Sequence, residues 1–434
     1  MDIVHNAKVL DFKFDKSSNL TRLKNSFKDT NVVRFSISNS YDDKIVADYS
    51  YTTTKHETQI DVFDFNPRKY VNNSTFNAVM VIPTGIGAET GGDSGDACVN
   101  AKLIGSVVDN LITHPNVVNA ADFNEMTPNT LYVEGSILNR FMLGTVGLAK
   151  SSGNRILLIY DNPTKTHNGE DIPKHIINCT INAASSTRMT IGVDVDTLGI
   201  DNPPFYQCFY DEKDMAIGKV LGIDTLVNII EKYKNDYDCF ALHTIITPSD
   251  DNISAKYFGD EIEVNPWGGV EALITHTISN ILNIPSAHAP MLADGTFSYP
   301  YDVVHPTKAP ETLSKTELFC LLKGLSYAPK IITDKTLMDK TGVLTNEDIN
   351  CLIIPDRCIG LPILAALEQD IPVIVVEDGQ NMMKNDLDKL PWKPNKFFRA
   401  KNYLEVVGYI NCLKTGIMPK NIIRPIQKTN QFYS

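Results

Sequence analysis

The residues best suited to chemistry in this 434-residue chain are histidines set beside turn formers, and the carboxylates that could orient them. His114 lies in THPN, His288 in SAHAP, His243 within CFALHTII, where it is expected to end a strand, and His305 in another His-Pro. Imidazole changes charge near neutral pH, so a histidine held by a proline or small-residue turn suits proton transfer. Glu271, in NPWGGVEALITH, falls in the first turns of an expected helix, where the dipole favours a carboxylate. His276 follows five residues later, about 140° around that helix, so the two are not expected to share a face. We therefore assign the acid–base roles to His114, His288 and Glu271. SAHAP reads as a tight exposed turn. Without HxH or HExxH spacing no metal centre is assigned, although the Asp194/Asp196 pair leaves room for a divalent cation. Cys98 and Cys358 lie beside loop glycines, where a helix N-terminus would lower a thiol pKa.

A second set of residues suits ligand binding. The stretch AVMVIPTGIGAETGGDSGD (78–96) runs from an apolar strand into five glycines among acids. Glycine permits positive φ and close backbone approach, so Thr84, Gly85, Gly87, Gly91, Gly92, Asp93 and Asp96 are expected to wrap a ligand. GxGxxG and GK[ST] are both absent, which removes the nicotinamide, flavin and P-loop fingerprints. Asn116, Asn119 and Glu134 follow in THPNVVNA and LYVEG. Ser186 and Arg188, in an AASSTR turn, would take a carboxylate or phosphate. Asp356 and Gly360, in DRCIG, sit at another strand end.

The elements that must position these residues fall into two patterns. Residues 1–75 alternate apolar and polar in VVRFSIS (32–38), KIVADYSYTTT (44–54) and TQIDVFDF (58–65), the signature of an antiparallel meander. Beyond residue 76, the apolar runs ILLIYD, MTIGVDV, CFALHTII, CLIIPD and PVIVVED alternate with helical stretches, including GGVEALITHTISNIL and LPILAALEQ. A helix is expected over 97–111. The fold class is α/β, with mainly parallel Rossmann-like sheets flanked by helices and an N-terminal β-meander. The expected domains are 1–75, 76–250 and 251–434, with ligands beyond the carboxyl ends of the strands.

Composition narrows the function. A net charge of −12 argues against general binding to nucleic acid or an anionic membrane. The N-terminus lacks the order of a secretory signal, and the eight cysteines are scattered singly, so the expected setting is the cytoplasm.

The motifs VIPTGIGAETGGDSGDA, LITHPNVVNA, NTLYVEG, RFMLGTVGL, SAHAP and LKGLSYAP resemble those of a bacterial family catalogued as domain of unknown function 3326. The resemblance covers about 76–329 and, more loosely, the chain to 378. It implies the fold and the clustered loops and carries no reaction. The family pattern continues to Asp-Ala-Gly where this chain reads YDNPT (160–164), which takes Asp161 out of the expected site. The expected function is an enzyme acting on a small polar carboxylate-, amide- or phosphate-bearing metabolite by hydrolytic or lyase chemistry. The expected site is a cleft between two α/β halves. The alternatives are a nucleotide- or sugar-nucleotide-dependent transferase and a non-catalytic small-molecule binder. A homo-oligomer is compatible with each.

Overall fold

The computed structural model describes residues 1–91, 97–118, 126–163, 165, 172, 174–250, 252–259, 264–291, 303–309, 314–426 and 428–432. It is an α/β protein with two large sheets. The first has six strands, all parallel, in the order Phe397–Ala400, Val373–Val376, Ile349–Pro355, Asn77–Met80, Asn110–Thr113, Thr130–Tyr132. Its middle strands are apolar on both faces, and Val79, Met80, Ile353, Ile374 and Val375 are fully buried. That is how a parallel strand covered by helices on both sides must read. Chain direction across the sheet reverses between Asn77–Met80 and Ile349–Pro355.

The second sheet is mixed. Two of the three expected meander strands, Val32–Ser40 and Lys44–Thr52, are antiparallel neighbours, but the third is Ile3–Asp11, which pairs with Lys44–Thr52, and the sheet continues through Ala216–Leu221 and Phe205–Tyr210. Cys239–Pro248 then begins a parallel portion with Ile156–Asp161, Val195–Ile200 and Ser286–Met291. Both sheets draw strands from either side of residue 250, and the segment 133–348 is inserted between the two halves of the parallel sheet. Three short strands, Lys330–Ile332, Gly147–Ala149 and Val343–Leu344, make a small antiparallel sheet. Among the described residues, no helix is long and apolar enough to cross a membrane.

Several local expectations are corrected. AASSTR and the start of MTIGVDV lie inside the helix Lys174–Ile191, and the strand begins at Val195. Continuous 3.6-residue spacing of Thr180, Ala184 and Thr187 on the buried face overrides the β-rich local composition. The helix expected over 97–111 stops at Gly105, and Asn110–Thr113 is a strand. TQIDVFDF is not a strand: Asp61 turns the chain back by accepting from the Phe63 N–H at 2.9 Å. SAHAP is no exposed turn but the strand Ser286–Met291, buried along most of its length. The strand Ile3–Asp11, half solvent-facing and interrupted by His5, Asn6 and Lys8, had no clear apolar alternation to betray it.

Candidate functional site

Helix Gly268–Leu282 packs on the mixed sheet and, on its other side, against helix Gly135–Met142, which follows the parallel strand Thr130–Tyr132, and it is the shared wall of two polar clusters. It can approach closely because Gly268 and Gly269 lack side chains: a Cβ on Gly269 would fall 2.2 Å from the Ala216 carbonyl oxygen, and one on Gly268 would fall 2.7 Å from Thr84. Glu271 and His276, on different faces of this helix, each find a separate partner.

On the mixed-sheet side, Glu271 Oε2 lies 3.2 Å from His288 Nδ1, and His288 Nε2 lies 2.8 Å from Thr244 Oγ1. The carboxylate can only accept, so Nδ1 carries the proton and Nε2 accepts from the threonine hydroxyl. This orders a carboxylate–imidazole–hydroxyl chain. Thr244 is fully buried and the His288 side chain is 1% exposed, whereas that of Glu271 is 19% exposed, so the carboxylate is the end solvent can reach. Asp161 stands at the carboxyl end of the neighbouring strand. Its Oδ2 accepts from the Ile245 N–H at 2.8 Å, but its buried Oδ1 has no hydrogen-bond partner. Burial pushes its pKa up to about 8, so near neutral pH this carboxyl is largely protonated. The Tyr206 hydroxyl is likewise buried and unpartnered, and its pKa is raised by burial and by the Asp161 charge. His243 faces the other way, with Nδ1 on the Ala289 carbonyl at 3.0 Å, and burial holds its pKa down to about 4.

On the parallel-sheet side, the glycine-rich loop turns with φ of +80° at Gly85, +60° at Gly87 and +76° at Gly91, as their residue type foretold. The motif THPN clamps it. Thr113 Oγ1 donates to the Met80 carbonyl (3.0 Å), and the Ile82 N–H donates to His114 Nε2 (3.1 Å). Asn116 Nδ2 donates to the carbonyls of Ile82 (2.8 Å) and Gly91 (2.9 Å). Burial holds His114 down to about 3, so its imidazole stays neutral and serves here as a backbone acceptor. Arg34, from the meander, donates to the Thr84 carbonyl at 2.7 Å. Glu134 caps helix Gly135–Met142, accepting from Ser136 N and Ile137 N. Its other oxygen, Oε1, is 3.3 Å from His276 Nε2 without hydrogen-bond alignment and so has no hydrogen-bond partner, and the second ring nitrogen, His276 Nδ1, is also buried without one. Burial lowers the His276 pKa, Glu134 raises it and Arg34 lowers it further.

The remaining expected residues lie elsewhere. Ser186 and Arg188 are exposed on helix Lys174–Ile191, away from both clusters. Asp356 pairs with Arg399 at 3.0 Å, and Gly360 caps helix Leu361–Gln369 while pairing with Ser36 of the mixed sheet. Gly92, Asp93, Asp96 and Asn119 lie outside the described residues. Asp194 and Asp196 flank Arg155, at 3.7 and 2.9 Å. Burial raises the Cys358 thiol pKa rather than lowering it. Among the described residues, His5, Asp48 and Asp211 alone have the spacing of metal ligands, but Lys213 pairs with both aspartates and Arg34 lies within their field.

Sequence reasoning missed Arg34, Thr244 and Tyr206, and it set Asp161 and His276 aside. Thr244 had a signal: strand alternation puts it opposite in direction to His243 and therefore toward the helix. Arg34 was the one charged residue in VVRFSIS. Tyr206 had none.

The architecture defines an α/β protein with a parallel and a mixed sheet, in which one helix contributes to two carboxylate–imidazole pairs. The chain belongs to the family described as Protein of unknown function (DUF3326), whose model matches residues 77–423. The match runs well past the motifs that suggested it and leaves the meander outside. An uncharacterized lipoprotein of Synechococcus sp. is 31% identical over 351 residues, covering 80% of this chain and 92% of that protein. No solved structure matches. The relative's name corrects the cytoplasmic expectation: lipoproteins are held at a membrane by a lipid anchor, and nothing comparable supports a cytoplasmic setting.

Proposed function

We propose that this protein is an enzyme acting on a small polar metabolite by acid–base chemistry, with Glu271 as the proton-transferring carboxylate. The ordered chain Glu271–His288–Thr244 carries the reading. It gives the one partly exposed carboxylate a buried imidazole that fixes its direction and stabilises its charge as protons move. The protonated Asp161 carboxyl beside the same strand ends is a donor for a carbonyl, carboxylate or phosphoryl oxygen. His114 is then a positioning residue that holds the glycine-rich loop, and hydrolytic or lyase chemistry fits a pair needing no redox partner.

The test is a thermal-shift screen against carboxylate-, amide- and phosphate-bearing metabolites, with mass spectrometry to detect turnover of each hit. Glu271→Gln is expected to keep ligand stabilisation and lose at least about a hundredfold in turnover, the usual contribution of a general base. Turnover that survives this substitution would remove Glu271 from the chemistry.

A second reading, a nucleotide-dependent transferase, draws on the parallel sheet, whose strand order is Rossmann-like around its switch point. Against it, the loops at that point are already joined by backbone bonds from Glu89 to Gln380, Met382 to Ile86 and Ala216 to Gly85. The lipoprotein name of the cyanobacterial relative supports a membrane-associated setting for this chain too.

A further inference from the structure

After Glu405 the sequence holds Lys414, Lys420, Arg424 and Lys428 and no acidic residue. These four positive charges leave −16 on the rest of the chain (−12 − 4). Between the cations stand apolar side chains that the fold does not cover. Ile422, Ile423 and Ile426 are each more than half exposed, and Phe432 is 90% exposed. Lys420, Arg424 and Lys428 are exposed too, and none of them is in an ion pair with another of the described residues. Two properties that are separately ordinary, exposed aliphatics and free cations, thus coincide in one short segment of an acidic protein.

We propose that the segment 417–432 docks this protein on an anionic lipid surface. Anionic headgroups attract the cations, while the isoleucines and Phe432 enter the interface between headgroups and acyl chains. A symmetric contact with the same segment of a second copy fits worse, because it would set like charges face to face. A nucleic acid would neutralise the charges but leave three isoleucines in water. The acidic remainder of the protein is repelled by the same lipid surface, so the contact also orients the molecule with this segment toward the bilayer. The segment's own residues carry this inference, independently of the acid–base reading and of any relative's name.

The experiment is co-sedimentation of the full chain with phosphatidylcholine vesicles, with and without phosphatidylglycerol. Two variants accompany it: Lys420→Glu/Arg424→Glu/Lys428→Glu, and Ile422→Ser/Ile423→Ser/Ile426→Ser. All six side chains are exposed, so unchanged melting curves are expected for both. Wild type is expected to bind only the anionic vesicles and to leave them as salt rises. The charge variant should lose at least about a hundredfold in partitioning, a factor of about five per cation removed. The apolar variant should lose about tenfold or more. Three results would overturn the proposal: no binding to anionic vesicles, equal binding to neutral ones, or equal binding by wild type and the charge variant.

Discussion

Replacing Asp161 by Asn tests whether the mixed-sheet cluster holds a neutral acid. Asparagine keeps the oxygen that accepts from the Ile245 N–H, and its amide NH₂ stands where the acid's O–H stands, so at low pH the two proteins should match within about 1 kcal/mol. They part as pH rises. The folded carboxyl has its pKa raised from 3.8 to about 8, whereas the unfolded one titrates normally. Between those values the unfolded chain releases a proton that the native state retains, so the stabilisation is complete below 3.8 and is lost as pH climbs to about 8. At about 1.4 kcal/mol per tenfold change in proton affinity, the ceiling on this loss is on the order of 6 kcal/mol. The variant has nothing to titrate there and should overtake the wild type within about one pH unit above 3.8, the gap widening toward pH 8. Urea midpoints for both proteins, measured through the interval, read this directly. The comparison must be made at each pH. His5, His114 and His243 have pKa values depressed to about 4, 3 and 4, and they impose an opposite trend, with stability falling as pH drops below 6.5. Parallel curves for the two proteins would refute the reasoning, since they would mean that Asp161 is ionised and paired in the fold.

His114→Ala should lose about 1–3 kcal/mol in urea unfolding, because the buried Ile82 N–H is left without its acceptor. A cost below about 0.5 kcal/mol would place His114 outside the clamp. Gly85→Ala adds a Cβ 2.5 Å from the Ala216 oxygen at φ +80°, so a loss of about 2 kcal/mol or more is expected, and a neutral result would show that the loop is not fixed against the mixed sheet. Arg188→Ala should change stability by less than about 0.5 kcal/mol and leave ligand binding intact, and weakened binding would return AASSTR to the site.

Where one physical signal dominated, the sequence could be read. GGVEALITHTISNIL and LPILAALEQ are helices at those same residues, because apolar periodicity and glycine or proline at the start agree. Gly85, Gly87 and Gly91 adopt the positive φ that their type allowed. Glu271 and His288 meet, 17 residues apart in sequence, though no local rule says so. What stayed hidden depended on packing. His114 looked like a free imidazole because nothing in THPN says that its nitrogen faces the Ile82 amide. Arg34 and Tyr206 reach the clusters only because the meander and Phe205–Tyr210 join one sheet with strands far away in sequence. AASSTR lost its turn to a helix that buries Thr180, Ala184 and Thr187 and leaves Ser185, Ser186 and Arg188 facing outward.

The insertion of residues 133–348 into the parallel sheet bears on how this chain is born. Asn77 pairs with Asn350, 273 residues later. During synthesis, at about 5–20 residues per second, the strand Asn77–Met80 must wait from roughly ten seconds to a minute for its neighbour on that side. Throughout that wait the nascent half-sheet presents an apolar edge with open amides and carbonyls, the kind of surface on which chains aggregate. A ribosome-bound chaperone would find its natural target there, and the protein's yield in a cell should respond to translation speed more than its final stability suggests.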